Sequence, residues 1–187
     1  MTLQLHYYGD PVLREKARRF ETVTDDVARL AADMIDMMRS SEGVGLAAQQ
    51  IGQARAICVI EVPEEMDKTE QGERLNPGLE MPMALLNPEI INFSRKTDTR
   101  EEGCLSFPEI RGNIDRSSEI TVRYMDLDGK ARELTAKGFL ARVIQHEVDH
   151  LNGVLFIDRM SPAKRFALSN KLKRMKRETE EGLSRNP

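Results

Sequence analysis

The sequence predicts an α+β domain in which antiparallel or mixed sheets pack around a central helix, with a further helix at the C-terminal end. Two observations support this fold class. Segments with strand-like alternation occupy the middle of the 187-residue chain, whereas apolar residues at helical spacing occur near both ends. The length suits a single domain over 1–187, with a core of about 1–160 and a C-terminal helix of about 162–181.

The composition is that of an ordinary globular protein, with 40% apolar and 32% charged residues. A net charge of −3 gives no overall case for nucleic-acid binding. No apolar run approaches the ~20 residues that cross a bilayer. Residues 1–9 lack the pattern of a secretory leader, so we expect a cytoplasmic protein with no membrane partner. Cys58 and Cys104 are too few for a disulfide scaffold, and we expect two thiols.

The first third of the chain predicts one helix and one strand. Asp10 followed by proline is typical of a short capped helical turn. Residues 24–39 place apolar side chains on one helical face, which predicts a helix packed on the core. The glycine-punctuated segment 43–50 is interpreted as a loop, and residues 56–62 as a strand.

The middle of the chain predicts strands. Residues 63–82 are polar, contain three prolines and have no period, so we interpret them as a surface loop inserted between two strands. Strand patterns follow over 85–93 and 119–126. Asp128 and Gly129 indicate a hairpin turn that leads into a strand near 130–135.

The last third predicts two helices. Apolar and histidine residues recur at helical spacing in the first of them, at Phe139, Val143, His146 and His150. Ser161 followed by proline is the pattern of a helix start and predicts the C-terminal helix.

The strongest chemical signal is the HExxH motif that runs from His146 to His150. Two histidines four apart on a helix point the same way, so both rings can reach one metal ion. Glu147 beside the first of them can act as a general base. A surface histidine pair is the alternative. The apolar period of the segment, and the cost of burying a glutamate without a cation, favour a metal site.

A third protein ligand is needed, and the downstream residues offer few candidates. Gly153 fits the longer HExxHxxGxxH pattern of one peptidase class, but Phe156 stands where its last histidine would be. His6 is far away in sequence, and Asp158 lies in a segment that looks structural. The downstream glutamates fall in a charged, solvated tail at Glu178, Glu180 and Glu181.

Cys104 remains as the preferred third ligand. A thiolate with two imidazoles is a sound tetrahedral set that leaves one position for water. Gly103 beside it would let the backbone come close to a ligand. The alternative is a buried inert cysteine, which is the usual fate of a free thiol and the better description of Cys58.

Three short segments in order carry a specific resemblance. GVGLAAQQ at 43–50, EGCLS at 102–106 and QHEVDH at 145–150 resemble the three signature motifs of peptide deformylases. The similarity extends over most of 5–165. Two departures lie outside the motifs: the 63–82 loop is longer than in compact members, and Arg142 stands where an apolar residue is expected near the side-chain pocket.

The resemblance implies a function and a set of site residues. A bacterial, cytoplasmic enzyme would remove the N-formyl group from the first methionine of a nascent peptide. The implied metal ligands are Cys104, His146 and His150. The implied catalytic groups are Glu147 as acid/base, with Gln50 and the Leu105 N–H on the substrate oxygen. The implied substrate-binding residues are Val44, Gly45, Gly103, Arg111, Phe139 and Val143.

The resemblance also implies one divalent ion, with Fe²⁺ as the native metal and Zn²⁺, Ni²⁺ or Co²⁺ able to replace it. Ligand softness alone permits zinc or iron. Two other functions remain open at this point. A metallopeptidase would need a conventional third ligand, and a structural metal site would need a fourth, such as Asp149 or Asp158.

The C-terminal helix carries seven basic residues with no acid between them. Charge pattern alone favours a solvated helix face. The resemblance, with a substrate that emerges from the ribosome, makes docking to ribosomal RNA a second interpretation. The residues are Lys164, Arg165, Lys171, Lys173, Arg174, Lys176 and Arg177.

Overall fold

The computed structural model describes residues 3–185, which form two antiparallel sheets around one buried helix. The larger sheet has the order β1-β2-β3-β6-β7, with strands Gly45–Ala47, Ile57–Ile60, Met83–Phe93, Glu119–Met125 and Ala131–Lys137. The smaller sheet pairs β4 (Thr97–Gly103) with β5 (Arg111–Ser117). The predicted α+β class is confirmed. Residues 1–2 and 186–187 of the predicted domain lie outside the described residues.

The helices are α1 (Asp25–Ser40), α2 (Gly138–Leu151), α3 (Phe156–Arg159), α4 (Pro162–Ala167) and α5 (Ser169–Arg185). Helix α2 is the predicted central helix, and every residue from Leu140 to Leu151 is buried. A helix buried all round must face protein on every side. The larger sheet covers one side of it, and the smaller sheet meets it through Gln145, whose amide bonds the backbone of Ser117 at 3.2 and 2.9 Å.

Three apolar clusters hold these layers together. One lies between the larger sheet and α2, and the second lies between that sheet and α1. The third joins Leu13, Phe107 and Phe156 to Leu172 of α5, so the C-terminal helix closes the core at one end. None of the helices within residues 3–185 is long and apolar enough to cross a membrane.

The structure corrects three local predictions. Segment 43–50 is not only a loop, because it contains β1 and the start of a 3-10 turn over Ala48–Ile51. Strands β4 and β5 arise from residues for which no strand was predicted. The single C-terminal helix is divided at Leu168 into α4 and α5. The helix start is as predicted, with the Ser161 hydroxyl accepting from the Lys164 N–H at 3.3 Å.

Candidate metal centre and active site

Helix α2 and the turn after β4 bring three metal-binding side chains together. The ligand atoms of Cys104, His146 and His150 all lie within 4.8 Å of one another. The Cys104 sulfur is 3.2 Å from Nε2 of His150. The two histidines share a face because they are four residues apart on a helix. Within residues 3–185 no other trio of such side chains converges in this way.

The chemistry of this trio fits a divalent cation. Tetrahedral coordination by sulfur and nitrogen separates the two atoms by roughly 3.6 Å, close to the spacing found. Burial lowers the pKa of His146, but hydrogen bonds to Cys104 and Glu102 raise it to about 10. The Glu102 carboxylate, which stabilises a proton on this ring, would equally stabilise a cation bound to it. Burial, and then the charge of His146, lower the pKa of His150, which favours the neutral imidazole that binds metals.

Glu102 is the centre of a buried ion network behind this site. It accepts from Nε and Nη2 of Arg116 at 2.9 and 3.0 Å, and from Nη1 of Arg142 at 2.6 Å. Its other contact is Nδ1 of His146 at 3.1 Å. Burial raises the pKa of Glu102, but the hydrogen bonds from His146 and Arg116 outweigh it and lower the pKa to about 2. Glu102 is therefore an anion that orients the imidazole ring of a candidate metal ligand.

This network explains the departure at Arg142. The side chain is buried, and besides Glu102 it donates to the Ile114 carbonyl at 3.0 Å. Sequence reasoning gave Glu102 and Arg116 no role of their own. Arg142 itself was the signal that could have found them. An arginine within an apolar helix requires a buried acid to neutralise it.

The acids considered as a fourth ligand are engaged elsewhere. Asp149 accepts from Arg116 at 2.6 Å and from Arg159 at 2.6 Å. Asp158 forms a two-pronged ion pair with Arg14. Both carboxylates therefore serve as structural partners of arginines. This removes the support for a closed structural site with four protein ligands within residues 3–185.

Glu147 lies beside the trio in a buried environment. Its side chain is buried, and its Oε2 atom has no hydrogen-bond partner among residues 3–185. Burial raises its pKa to about 7. A carboxyl group with a pKa near neutrality can both accept and return a proton. Gly45 makes room for it, since a Cβ on residue 45 would lie 2.3 Å from Glu147 Oε1.

Gln50 is held with its amide nitrogen toward the trio. Its Oε1 accepts from the Ala47 N–H at 2.9 Å, so the carbonyl end is already used. Its Nε2 is left to face Cys104 Sγ at 3.5 Å and Ser106 Oγ at 3.4 Å. The Leu105 N–H follows Cys104 directly and has no protein acceptor within residues 3–185. Two donors thus lie beside the trio.

A cavity of about 600 Å³ opens onto these groups. It is lined by Cys104, His146, Glu147 and Gln50, and by all six predicted substrate-binding residues: Val44, Gly45, Gly103, Arg111, Phe139 and Val143. Gly103 and Arg111 come together because they pair across β4 and β5. Tyr7, Met66 and Glu109 also line it, and sequence reasoning missed all three. A cleft of about 680 Å³ on another side of α2 contains none of the converging ligands.

Comparison with known proteins identifies the family. A sequence model described as Polypeptide deformylase matches residues 2–166. The chain belongs to the peptide deformylase family. The peptide deformylase of Opitutus terrae is 45% identical over 192 residues, which cover 100% of both chains.

Solved deformylases share the fold. The structure from Thermotoga maritima matches with a TM-score of 0.75 and 40% identity, over 87% of this chain and 99% of that one. The structure from Ehrlichia chaffeensis matches with a TM-score of 0.83 and 35% identity, over 95% and 98% of the two chains. As a deformylase, the chain is a metal-dependent hydrolase that removes the N-formyl group from newly synthesised proteins.

Proposed function

We propose that this chain performs deformylation with one divalent ion held by Cys104, His146 and His150, and with Glu147 as the proton-transfer group. The observation that carries the proposal is the convergence of the three ligand atoms within 4.8 Å, next to a buried carboxylate. A cation with three protein ligands retains a position for a reactant, as hydrolytic sites require.

The reaction adds water to the formyl carbon and breaks the bond to the methionine nitrogen. When bound, the ion would activate a water molecule and polarise the carbonyl. Glu147 is placed to accept a proton from the attacking water and to deliver it to the departing amine. The Gln50 amide and the Leu105 N–H donate to the oxyanion as it forms. Each such donor typically contributes about 3 kcal/mol in a dry site.

The substrate is the formyl-methionine end of a nascent peptide. We expect Val44, Phe139 and Val143 to surround the methionine side chain, because all three are apolar residues of the cavity lining. Gly45, Gly103 and Arg111 lie along the same cavity and would accommodate the extended backbone. The absence of a side chain at the two glycines permits close approach.

We propose Fe²⁺ as the native ion, with Zn²⁺, Ni²⁺ or Co²⁺ able to occupy the same ligands. A thiolate with two neutral imidazoles is soft enough for all four ions. Metal analysis of protein purified without oxygen tests the assignment. A preparation that is fully active with zinc alone and contains no iron would contradict it.

Formate release from a short N-formyl-methionyl peptide tests the activity. The matched substrates are the N-acetyl form of the same peptide and an unblocked longer peptide. We expect formate from the formyl peptide only. Cleavage of internal bonds in the longer peptide would instead favour a metallopeptidase.

The C-terminal helix has a proposed second role in docking to the ribosome, supported by its basic run. Several of these charges have acidic neighbours on the same helix, with Glu178, Glu180 and Glu181 each 3.6–3.8 Å from a basic residue four positions earlier. Lys164 and Lys173 have no acidic partner within residues 3–185. Contacts through them would be to phosphate and therefore sensitive to salt.

A further inference from the structure

The segment between β2 and β3, predicted as a surface loop, is held by buried polar contacts. Asp67 and Asn76 are only 4% and 5% exposed. The Asn76 N–H donates to the Asp67 carboxylate at 3.3 Å, and the Asn76 side-chain amide donates to the same carboxylate. Arg74 Nε adds a third donor at 3.2 Å. Buried polar groups that are mutually satisfied fix the geometry of the chain around them.

This segment is fastened to the start of the catalytic helix. The Asn76 side chain accepts from the Lys137 N–H at 2.8 Å and donates to the Lys137 carbonyl at 3.1 Å. The Leu75 side chain packs against Gly138, the residue after Lys137, since a Cβ on Gly138 would be 2.7 Å from Leu75 Cδ1. The residue after that is Phe139, which lines the active-site cavity. The inserted segment and the beginning of α2 therefore form one wall.

Met66 is the residue that this segment places in the cavity. It ends a 3-10 turn over Glu64–Met66, directly before the buried Asp67. Met66 is 44% exposed, although it is a large apolar residue, and it lines the cavity that contains Glu147. An apolar side chain exposed within a ligand cavity is suited to contact a ligand. A methionine adapts readily to the shape of another unbranched side chain.

We propose that Met66 is a specificity-determining residue that contacts the first side chain of the formyl peptide. The inference rests on the deformylase activity and extends it. Met66 shares a wall with Phe139, and both are apolar, so an apolar side chain such as methionine would be recognised between them. Met66 does not touch the reacting atoms, which lie at the three metal ligands and Glu147. Its contribution is therefore to binding, and it should depend on what the first residue is.

Two variants and two substrates test the proposal. Met66→Ala removes the contact, and Met66→Leu keeps an apolar side chain of similar volume. Glu65→Ala is the matched control, because Glu65 is an exposed neighbour that does not line the cavity. Steady-state kinetics are measured with formyl-Met-Ala-Ser and formyl-Ala-Ala-Ser, together with the melting temperature of each protein.

We expect Met66→Ala to raise KM for the formyl-Met peptide by roughly three- to tenfold, the effect of losing part of one apolar contact, with kcat within twofold. The same substitution should leave KM for the formyl-Ala peptide unchanged, because that substrate lacks the contacted group. Met66→Leu should give a KM for the formyl-Met peptide between those of the parent protein and Met66→Ala, and Glu65→Ala should match the parent protein with both peptides.

Equal KM changes for the two peptides, or no change for either, would overturn the assignment of Met66. A fall in kcat without a change in KM would overturn it as well. These failures are distinct from failure of the activity itself, which would appear as no formate release by the parent protein. An unchanged melting temperature in Met66→Ala shows that the segment between β2 and β3 is still folded. Unfolding of that segment is then excluded as the cause of a change in KM.

Discussion

Nδ1 of His146 lies 3.1 Å from a carboxylate oxygen of Glu102, so a buried acid holds the ring of a proposed metal ligand. A carboxylate in this position keeps the proton on Nδ1 and leaves the other ring nitrogen for a cation. The paired guanidinium of Arg116 fixes the carboxylate in turn. The orientation of the His146 ring is therefore set by Glu102, and the position of Glu102 is set by Arg116.

Glu102→Gln should weaken metal affinity by about 10- to 100-fold, the usual effect of losing such a partner. The variant should also melt at a lower temperature, because Arg116 and Arg142 lose a compensating charge. Competition with a chelator measures the affinity. Glu101→Gln is the control, since Glu101 is exposed and outside this network. Equal affinities in the two variants would show that Glu102 does not position the ligand.

Glu147→Gln should retain the metal and lose turnover by at least ~100- to 10,000-fold. Glutamine has nearly the same shape but cannot accept the proton or return it. Since Glu147 Oε2 is buried and has no hydrogen-bond partner in the described part of the chain, loss of its charge should not lower the melting temperature. Metal content and formate release are measured on the same preparation. A fully metallated variant with near-normal turnover would refute the acid/base role.

Gly45→Ala should reduce turnover strongly while the metal stays bound. The added Cβ would lie 2.3 Å from Oε1 of Glu147, so the carboxylate must move. Gly182→Ala is the control, because no atom of residues 3–185 lies within 4 Å of a Cβ at that position. Formate release and metal content are compared for both variants. If Gly45→Ala keeps parental turnover, the carboxylate is not confined as described.

Cys104→Ala should lose the metal, whereas Cys58→Ala should keep metal and activity. Cys58 is wholly buried in β2 within the apolar cluster between the larger sheet and α2, and it is not a member of the converging trio. Burial raises the pKa of the Cys58 thiol well above its usual value, so it is a poor ligand. Elemental analysis of the two purified variants decides the matter. Stoichiometric metal in Cys104→Ala would reject the ligand assignment.

Lys164→Glu combined with Lys173→Glu should weaken ribosome binding and leave turnover of short formyl peptides unchanged. This pair is preferred to truncation at residue 163, which would also remove Leu172 from the core. Co-sedimentation with ribosomes at low and moderate salt is the measurement, because phosphate contacts weaken as salt rises. Equal co-sedimentation of variant and parent would leave the helix with a structural role only.

The sequence predicted α2, and the shared direction of its two histidines, because helical spacing and the HExxH pattern coincide there. It did not predict β5, although alternate residues of that strand are buried. Two of the three buried residues are Gly112 and Arg116, so the alternation does not appear as a hydropathy pattern. The Arg116 side chain is buried because Glu102 and Asp149 neutralise it, and that pairing exists only in three dimensions.

The segment between β2 and β3 is a second feature whose structure the sequence pattern could not predict. Its composition, polar and rich in proline, is that of a mobile loop. What fixes it is a pairing between Asn76 and the backbone of Lys137, 61 residues later in the chain. Long-range hydrogen bonds of this kind leave no periodic signal. Met66 could therefore not be assigned to the cavity from sequence.

The ion network also places different constraints on the two residues of the Glu102–Arg142 salt bridge. If Arg142 were replaced by an apolar residue, Glu102 would still have Arg116 and His146 as partners. If Glu102 were replaced, Arg142 would lose its closest counter-charge and Arg116 would retain only Asp149, at a cost of about 3–5 kcal/mol. The residue type at position 142 should therefore vary among homologues. Selection should retain the glutamate at position 102, because its replacement is costly even where the metal ligands are intact.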